Sequence, residues 1–102
     1  MLLNIHTEAN GDTLEVTLSG DFDMGSVEAF RSALEETPEP WKRAVIEMQD
    51  VVFMDSSGLQ ELLRVNNRAR EQDREVVLAR PSVPVVRLLE LTGLETHFTI
   101  TD

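Results

Sequence analysis

Apolar and polar positions alternate most cleanly in "TLEVTLSG". There Leu14, Val16 and Leu18 face one way and Glu15, Thr17 and Ser19 the other, the period of a half-buried strand. Residues 2–7 repeat the alternation weakly, and Asn10-Gly11-Asp12 supplies turn chemistry between the two, so the chain is expected to open with a hairpin. The period then changes. Val27, Phe30, Ala33 and Leu34 recur at helical spacing, with Asp23 or Ser26 placed to cap the helix and Glu28 early in it. "TPEP" ends that helix, because Pro38 and Pro40 cannot continue it.

Residues 44–48 and 51–54 are short apolar runs around Glu47, Gln49 and Asp50, which predicts a buried strand followed by a loop that dips back to the core. After "DSSG" a second helix is expected, with Leu59, Leu62, Leu63, Asn66 and Ala69 on its inner face and Gln60, Glu61, Arg64, Asn67, Arg68 and Glu71 on its outer face. "EVVLA" predicts a strand. A third helix follows, with Ser82 as cap, Pro84 in its first turn, and Gly93 with Leu94 forming a left-handed C-terminal cap. "THFTIT" predicts the last strand. The order β-β-α-β-α-β-α-β argues for an α/β fold: a mixed sheet opened by a hairpin, its later strands parallel and joined by helical crossovers.

The chain has 102 residues, 41% of them hydrophobic, which suits one domain over residues 1–102 with a single core. No signal-peptide pattern and no apolar run of membrane-spanning length is present, so a soluble cytoplasmic protein without direct membrane contact is expected. The net charge of −10 argues against nucleic-acid phosphates as partner. Its distribution says more. Residues 1–55 carry 12 acidic and 3 basic side chains, residues 56–102 carry 7 and 6, so the acidity lies ahead of "DSSG" and favours a partner with basic residues.

Chemistry-bearing candidates are few. With no cysteine, thiolate nucleophiles and thiolate metal sites are excluded. Asp21, Asp23 and Asp55 lack the spacing of a calcium loop, there is no histidine pair for zinc, and no phosphate-binding glycine loop occurs, so no metal and no cofactor is expected. A hydrolase elbow, G-x-S-x-G, is ruled out because Phe53 and Met54 stand where its first glycine is needed. His6 and His97 fall in predicted strands with nothing marking either as a general base, so no catalysis is expected. Arg64, Arg68, Arg70 and Arg74 read as a solvated helix face, Trp41 as packing at the start of a strand, and Asn66 as either snorkelling or bonding a neighbouring loop.

Two readings remain for Ser56 and Ser57. One caps the second helix with a serine hydroxyl, worth about 1 kcal/mol. The other makes one serine an exposed switch, because a phosphoryl group at a helix N-terminus meets free N–H groups and the positive end of the macrodipole. If the strands before "GDFD" and "DSSG" are parallel neighbours, Asp21, Asp23 and Asp55 form an acidic rim around the serines, to which a phosphate adds like charge.

"MDSSGL" at 54–59, "LSGDFD" at 18–23 and "VVRLLELTGLETHF" at 85–98 together resemble the STAS domain family, in particular its small bacterial anti-sigma factor antagonists. The resemblance implies a mixed sheet with helices mainly on one side, and a regulator of transcription in stress responses that works by partner switching. The unmodified antagonist binds an anti-sigma factor that is also a GHKL-type serine kinase; phosphorylation reverses binding and a phosphatase restores it. It places the phosphoacceptor at Ser56, with Ser57 and Gly58 beginning the helix, and the partner-binding surface at Asp21, Asp23, Asp55, Ser57, Gly58, Gln60, Glu61 and Arg64. Gly20-Asp21-Phe22-Asp23 stands where the family has Gly-Glu-Leu-Asp, which conserves charge. The family's usual C-terminal helix has no counterpart after "TITD", and a monomer or weak homodimer is expected. The alternative within the resemblance is a STAS subunit of a lipid-transport ABC complex, bound to its ATPase.

Overall fold

The computed structural model describes residues 2–36 and 40–102. β1 (Asn4–Asn10) and β2 (Thr13–Phe22) form the expected antiparallel hairpin, joined by Gly11-Asp12, where Gly11 takes the left-handed φ of 65° that this tight turn requires. β3 (Arg43–Met54), β4 (Glu75–Ala79) and β5 (Thr99–Thr101) follow in parallel, giving one sheet in the order β1-β2-β3-β4-β5. Three helices make the crossovers: α1 (Val27–Glu35), α2 (Ser56–Glu71) and α3 (Val83–Thr92). Each crossover steps one strand further in the same direction. Right-handed connections then put all three helices on one face.

That face is the core. Leu14, Val16, Leu18, Ala44, Ile46, Met48, Val76 and Leu78 of the sheet cluster with Phe30 and Leu34 of α1, Leu59, Leu62, Val65 and Ala69 of α2, and Val85 and Leu89 of α3. The Phe22 and Phe30 rings meet at 4.9 Å between centroids, tying the end of β2 to α1.

β3 corrects the expectation of a strand followed by a loop: it runs unbroken for 12 residues. Between Thr17 and Ser19 of β2 the partner strand advances from Glu47 to Asp50, and between Gly20 and Asp21 it advances from Val51 to Phe53. Each step inserts an extra residue into β3. These bulges reset the alternation, which is why Met48, Val51 and Met54 are buried while Gln49, Asp50, Val52 and Phe53 are exposed. The same bulges carry β3 beyond the sheet's middle to the base of α2.

Smaller differences have local causes. Gly93 takes φ 71° and closes α3, with Gly93 N–H donating to Glu90 O and Leu94 N–H to Leu89 O, as expected. Ser82 occupies the N-cap position, but its hydroxyl is buried and makes no capping bond. His97 lies in a 3₁₀ turn, Glu95–His97, and not in the last strand. Its carbonyl accepts from Asn66 Nδ2 at 2.9 Å and Arg70 Nη2 at 3.0 Å, so Asn66 and Arg70 fasten α2 to this turn. Arg74 lies over the buried Trp41 ring at 5.0 Å and is not simply solvated. α1 ends at Glu35, and the proposed stop at Pro38 lies outside the described residues.

Candidate functional site at the start of α2

β2 and β3 are parallel neighbours, and their C-terminal ends lie side by side, with Asp21 opposite Phe53 and Phe22 opposite Met54. The chain leaves β3 at Asp55, whose N–H donates to Phe22 O at 3.3 Å, and turns into α2. Asp55 is the N-cap: its Oδ1 accepts from Ser57 N–H at 2.9 Å and Gly58 N–H at 3.1 Å. This corrects the serine-cap reading. The aspartate, one residue earlier, satisfies the donors that a serine hydroxyl is expected to satisfy. The helix also begins at Ser56 itself, one residue before the expected start.

The consequence falls on the serines. Ser56 is exposed and Ser57 half-buried, and neither hydroxyl makes a hydrogen bond to another described residue. Gly58 is buried against β2. A Cβ there would lie 2.5 Å from Phe22 O and 3.0 Å from Met54 Cγ, so only glycine lets the first turn of α2 sit this close to the strand ends.

On the β2 side, Asp23 caps a 3₁₀ turn, Met24–Ser26, that leads into α1. Asp23 N–H donates to Ser26 Oγ at 3.0 Å, and that hydroxyl lies 3.1 Å from Asp21 O and 3.2 Å from Asp23 Oδ1. The buried Ser26 therefore shapes the turn that carries the acidic segment. The backbones of Asp21, Asp23 and Asp55 lie at the same end of the sheet, where β2 and β3 finish side by side. Exposed apolar side chains flank them: Met24, Val52 and Phe53.

Between this turn and α2 lies a recess of about 380 Å³, lined by Met24, Val27, Glu28 and Arg31 on one side and Ser57, Gln60, Glu61 and Arg64 on the other. Ser56 lies outside its lining. Glu61 corrects the expectation of a solvent-facing residue, for its side chain is only 2% exposed. Arg31 Nη2 donates to Oε1 at 2.9 Å and Arg31 Nε to Oε2 at 3.3 Å; Arg64 Nε donates to Oε1 at 3.0 Å and Arg64 Nη2 to Oε2 at 2.8 Å. Two guanidinium forks thus grip one carboxylate. Burial alone would push the Glu61 carboxyl up, but the hydrogen bonds from Arg64 and Arg31, with their charges, outweigh it and hold the group below its ordinary value.

The sequence did carry a signal for Glu61. Gly58, Glu61, Val65 and Ala69 repeat at spacings of three and four, and the buried face of α2 is wider than the leucines suggested, with Val65 inside and Leu63 only partly covered. Arg31, thirty positions away on another helix, carried no such signal.

Among the described residues no cluster of histidine, aspartate and glutamate stands ready to hold a metal ion, and no helix is long and apolar enough to cross a membrane. The site presents hydroxyls, carboxylates and exposed apolar side chains where β2 and β3 end and α2 begins.

The STAS domain model matches residues 4–102. A STAS-domain containing protein of Pseudomonas aeruginosa is 29% identical over 100 residues, spanning 98% of this chain and 99% of that one. The anti-sigma-B factor antagonist of Bacillus subtilis is 27% identical over 95 residues, spanning 93% and 87%. Among solved structures, the fold is similar to the anti-sigma factor antagonist SpoIIAA in its unphosphorylated form, with TM-score 0.75 and 18% identity over 97% of this chain and 87% of that one. It is equally close to the Bacillus cell fate determinant SpoIIAA in the phosphorylated form, with TM-score 0.76 and 20% identity over 97% and 92%. These two likenesses establish the architecture: a hairpin, a run of parallel strands and three helices on one face. With the model match extending from β1 to the last residue, the chain belongs to the STAS domain family.

Proposed function

We propose that the protein is an anti-sigma factor antagonist: a non-catalytic, cytoplasmic binding module whose Asp21–Asp23 and Asp55–Arg64 surface docks a kinase-type anti-sigma factor, and which phosphorylation of Ser56 switches off. The observation that carries this reading is the division of labour at the start of α2. Asp55 already caps the helix, so the exposed Ser56 hydroxyl is spare and can be modified without losing a structural hydrogen bond. Related anti-sigma-B factor antagonists support the class of partner.

Phosphate on Ser56 adds about −1.5 to −2 charge beside Asp23 and Asp55. It acts by like-charge repulsion and by occupying space against a partner surface that complements an acidic rim. The scale suffices, since like charges juxtaposed in an interface cost several kcal/mol and each 1.4 is about tenfold in affinity. A phosphatase acting on phospho-Ser56 resets the module.

The test is a pull-down with the kinase-type anti-sigma factor, using wild type, Ser56→Ala and Ser56→Asp. Ser56→Ala is expected to bind constitutively and accept no phosphate, and Ser56→Asp to bind poorly. Equal binding by all three sinks the switch, and mass spectrometry that places the phosphate on Ser57 refutes the choice of serine.

A further inference from the structure

A second recess, of about 360 Å³, opens where the end of α1, the start of β3 and the second half of α2 meet. Its floor is apolar, made by Leu34, Val65, Ala69 and the buried Trp41. Its rim carries Arg64, Arg68 and Arg74, against Glu35 as the one acid among the described lining residues. That balance runs opposite to the chain, which holds 19 acidic and 9 basic side chains.

Several arginines are committed to carboxylates: Arg31 and Arg64 to Glu61, Arg43 to Glu75, Arg80 to Glu47. Of the three at this rim, Arg64 is therefore engaged, whereas Arg68 and Arg74 are paired with no carboxylate among the described residues. Arg68 has no ion pair or hydrogen bond to a described residue, and Arg74 is held only by stacking on Trp41, at 5.0 Å. A guanidinium attracted to a ring face keeps its N–H donors for other partners, among them an oxyanion.

We infer that this recess binds a small amphiphilic anion, a carboxylate or phosphate ester on an apolar body, with Arg68 and Arg74 at the anion and Leu34, Val65 and Ala69 beneath the body. A concave site with an apolar floor and a few convergent polar groups is the general form of a small-molecule pocket. The site is separate from the serine face, although Arg64 borders both recesses.

Trp41 is the only tryptophan in the chain, so its emission reports on this recess alone. The full chain is titrated with phenylbutyrate, phenyl phosphate and the uncharged phenylbutanol, and followed by tryptophan fluorescence and by nitrogen–proton correlation spectra. Both anions are expected to change Trp41 emission saturably and to shift the Trp41 indole and Gln72 side-chain signals. Ligands of about a dozen heavy atoms imply dissociation constants of roughly 1 mM or somewhat below. The alcohol should bind at least about fivefold more weakly, and Arg68→Ala, at an exposed position, should weaken each anion by about fivefold to tenfold while leaving the alcohol unchanged. No saturable change, equal binding of anion and alcohol, insensitivity to Arg68→Ala, or shifts confined to residues 55–60 would each overturn the assignment.

Discussion

Removing both guanidiniums from Glu61 while keeping their aliphatic stems, as Arg31→Met with Arg64→Met, strands a carboxylate whose side chain is 2% exposed. Four hydrogen bonds of 2.8–3.3 Å disappear, and nothing else within the pair's geometry replaces them. Breaking a buried ion pair on one side costs about 3–5 kcal/mol. Water can follow the lost arginines into the recess, so the lower end, about 3 kcal/mol at neutral pH, is the expected loss. That is a large part of the roughly 5–15 kcal/mol typical of a folded domain, yet leaves it folded. The pH dependence distinguishes this cause from lost packing. In the wild type the Glu61 carboxyl is held below its ordinary value, so its contribution is complete above the unfolded value of about 4.3 and is lost as pH falls through the folded one. In the double variant burial acts alone and raises the folded value. The folded state then binds the proton more tightly, and the destabilisation is small in acid and grows as pH rises above about 4.3. Urea unfolding followed by Trp41 fluorescence, from about pH 4 to about pH 8, should therefore show a difference between the two proteins that widens with pH. Adding Glu61→Met to the double variant should recover most of the loss, because it removes the stranded charge. A difference independent of pH, or a triple variant no more stable than the double, would refute the reasoning.

Two further substitutions probe the start of α2. Gly58→Ala forces a Cβ against the Phe22 carbonyl, a backbone atom that cannot rotate away; the strain of about 1–3 kcal/mol should outweigh alanine's helical advantage of about 1 kcal/mol, giving a lower urea midpoint. Asp55→Ala removes the acceptor for two helix N–H groups and should cost about 0.5–2 kcal/mol, with Asp55→Asn recovering part of it; an unchanged midpoint in Asp55→Ala would mean that a serine hydroxyl takes over the cap.

Legibility in the sequence followed the range of the interaction that decided each feature. The hairpin, the three helices and the parallel sheet rest on periodicities and turn residues that lie within a few positions of one another, such as Leu14–Val16–Leu18 and Gly93-Leu94. The continuity of β3 is not legible, because its bulges are defined by a register with β2 that no local pattern contains. A serine cap stands as one of the two readings of "DSSG" because serine and aspartate are near-equal caps, and the choice between them is made by where the chain leaves β3, pinned through Asp55 N–H to Phe22 O. That Asp21, Asp23 and Asp55 lie at the same end of β2 and β3 is legible once parallel strands are assumed. The Arg31–Glu61–Arg64 cluster was not, since a glutamate is a surface residue by default until a partner from another helix neutralises its burial.

That cluster also bears on the choice between the two serines. On a helix the neighbour one turn ahead of Ser56 is Gln60, which is exposed and uncharged, whereas the neighbour one turn ahead of Ser57 is Glu61. A phosphoryl group on Ser57 would enter the recess that Arg31 and Arg64 border, repel the Glu61 carboxylate and compete for both guanidiniums, leaving a buried charge under-paired. On Ser56 the same group meets solvent and the positive end of α2, with the Glu61 grip intact. On the proposed reading, added charge on Ser56 would be felt by a docking partner and added charge on Ser57 by the fold, and a reversible switch would require the first. Asp55 supplies the remaining condition: by taking the capping bonds onto itself, it leaves Ser56 with a hydroxyl that the folded state does not need.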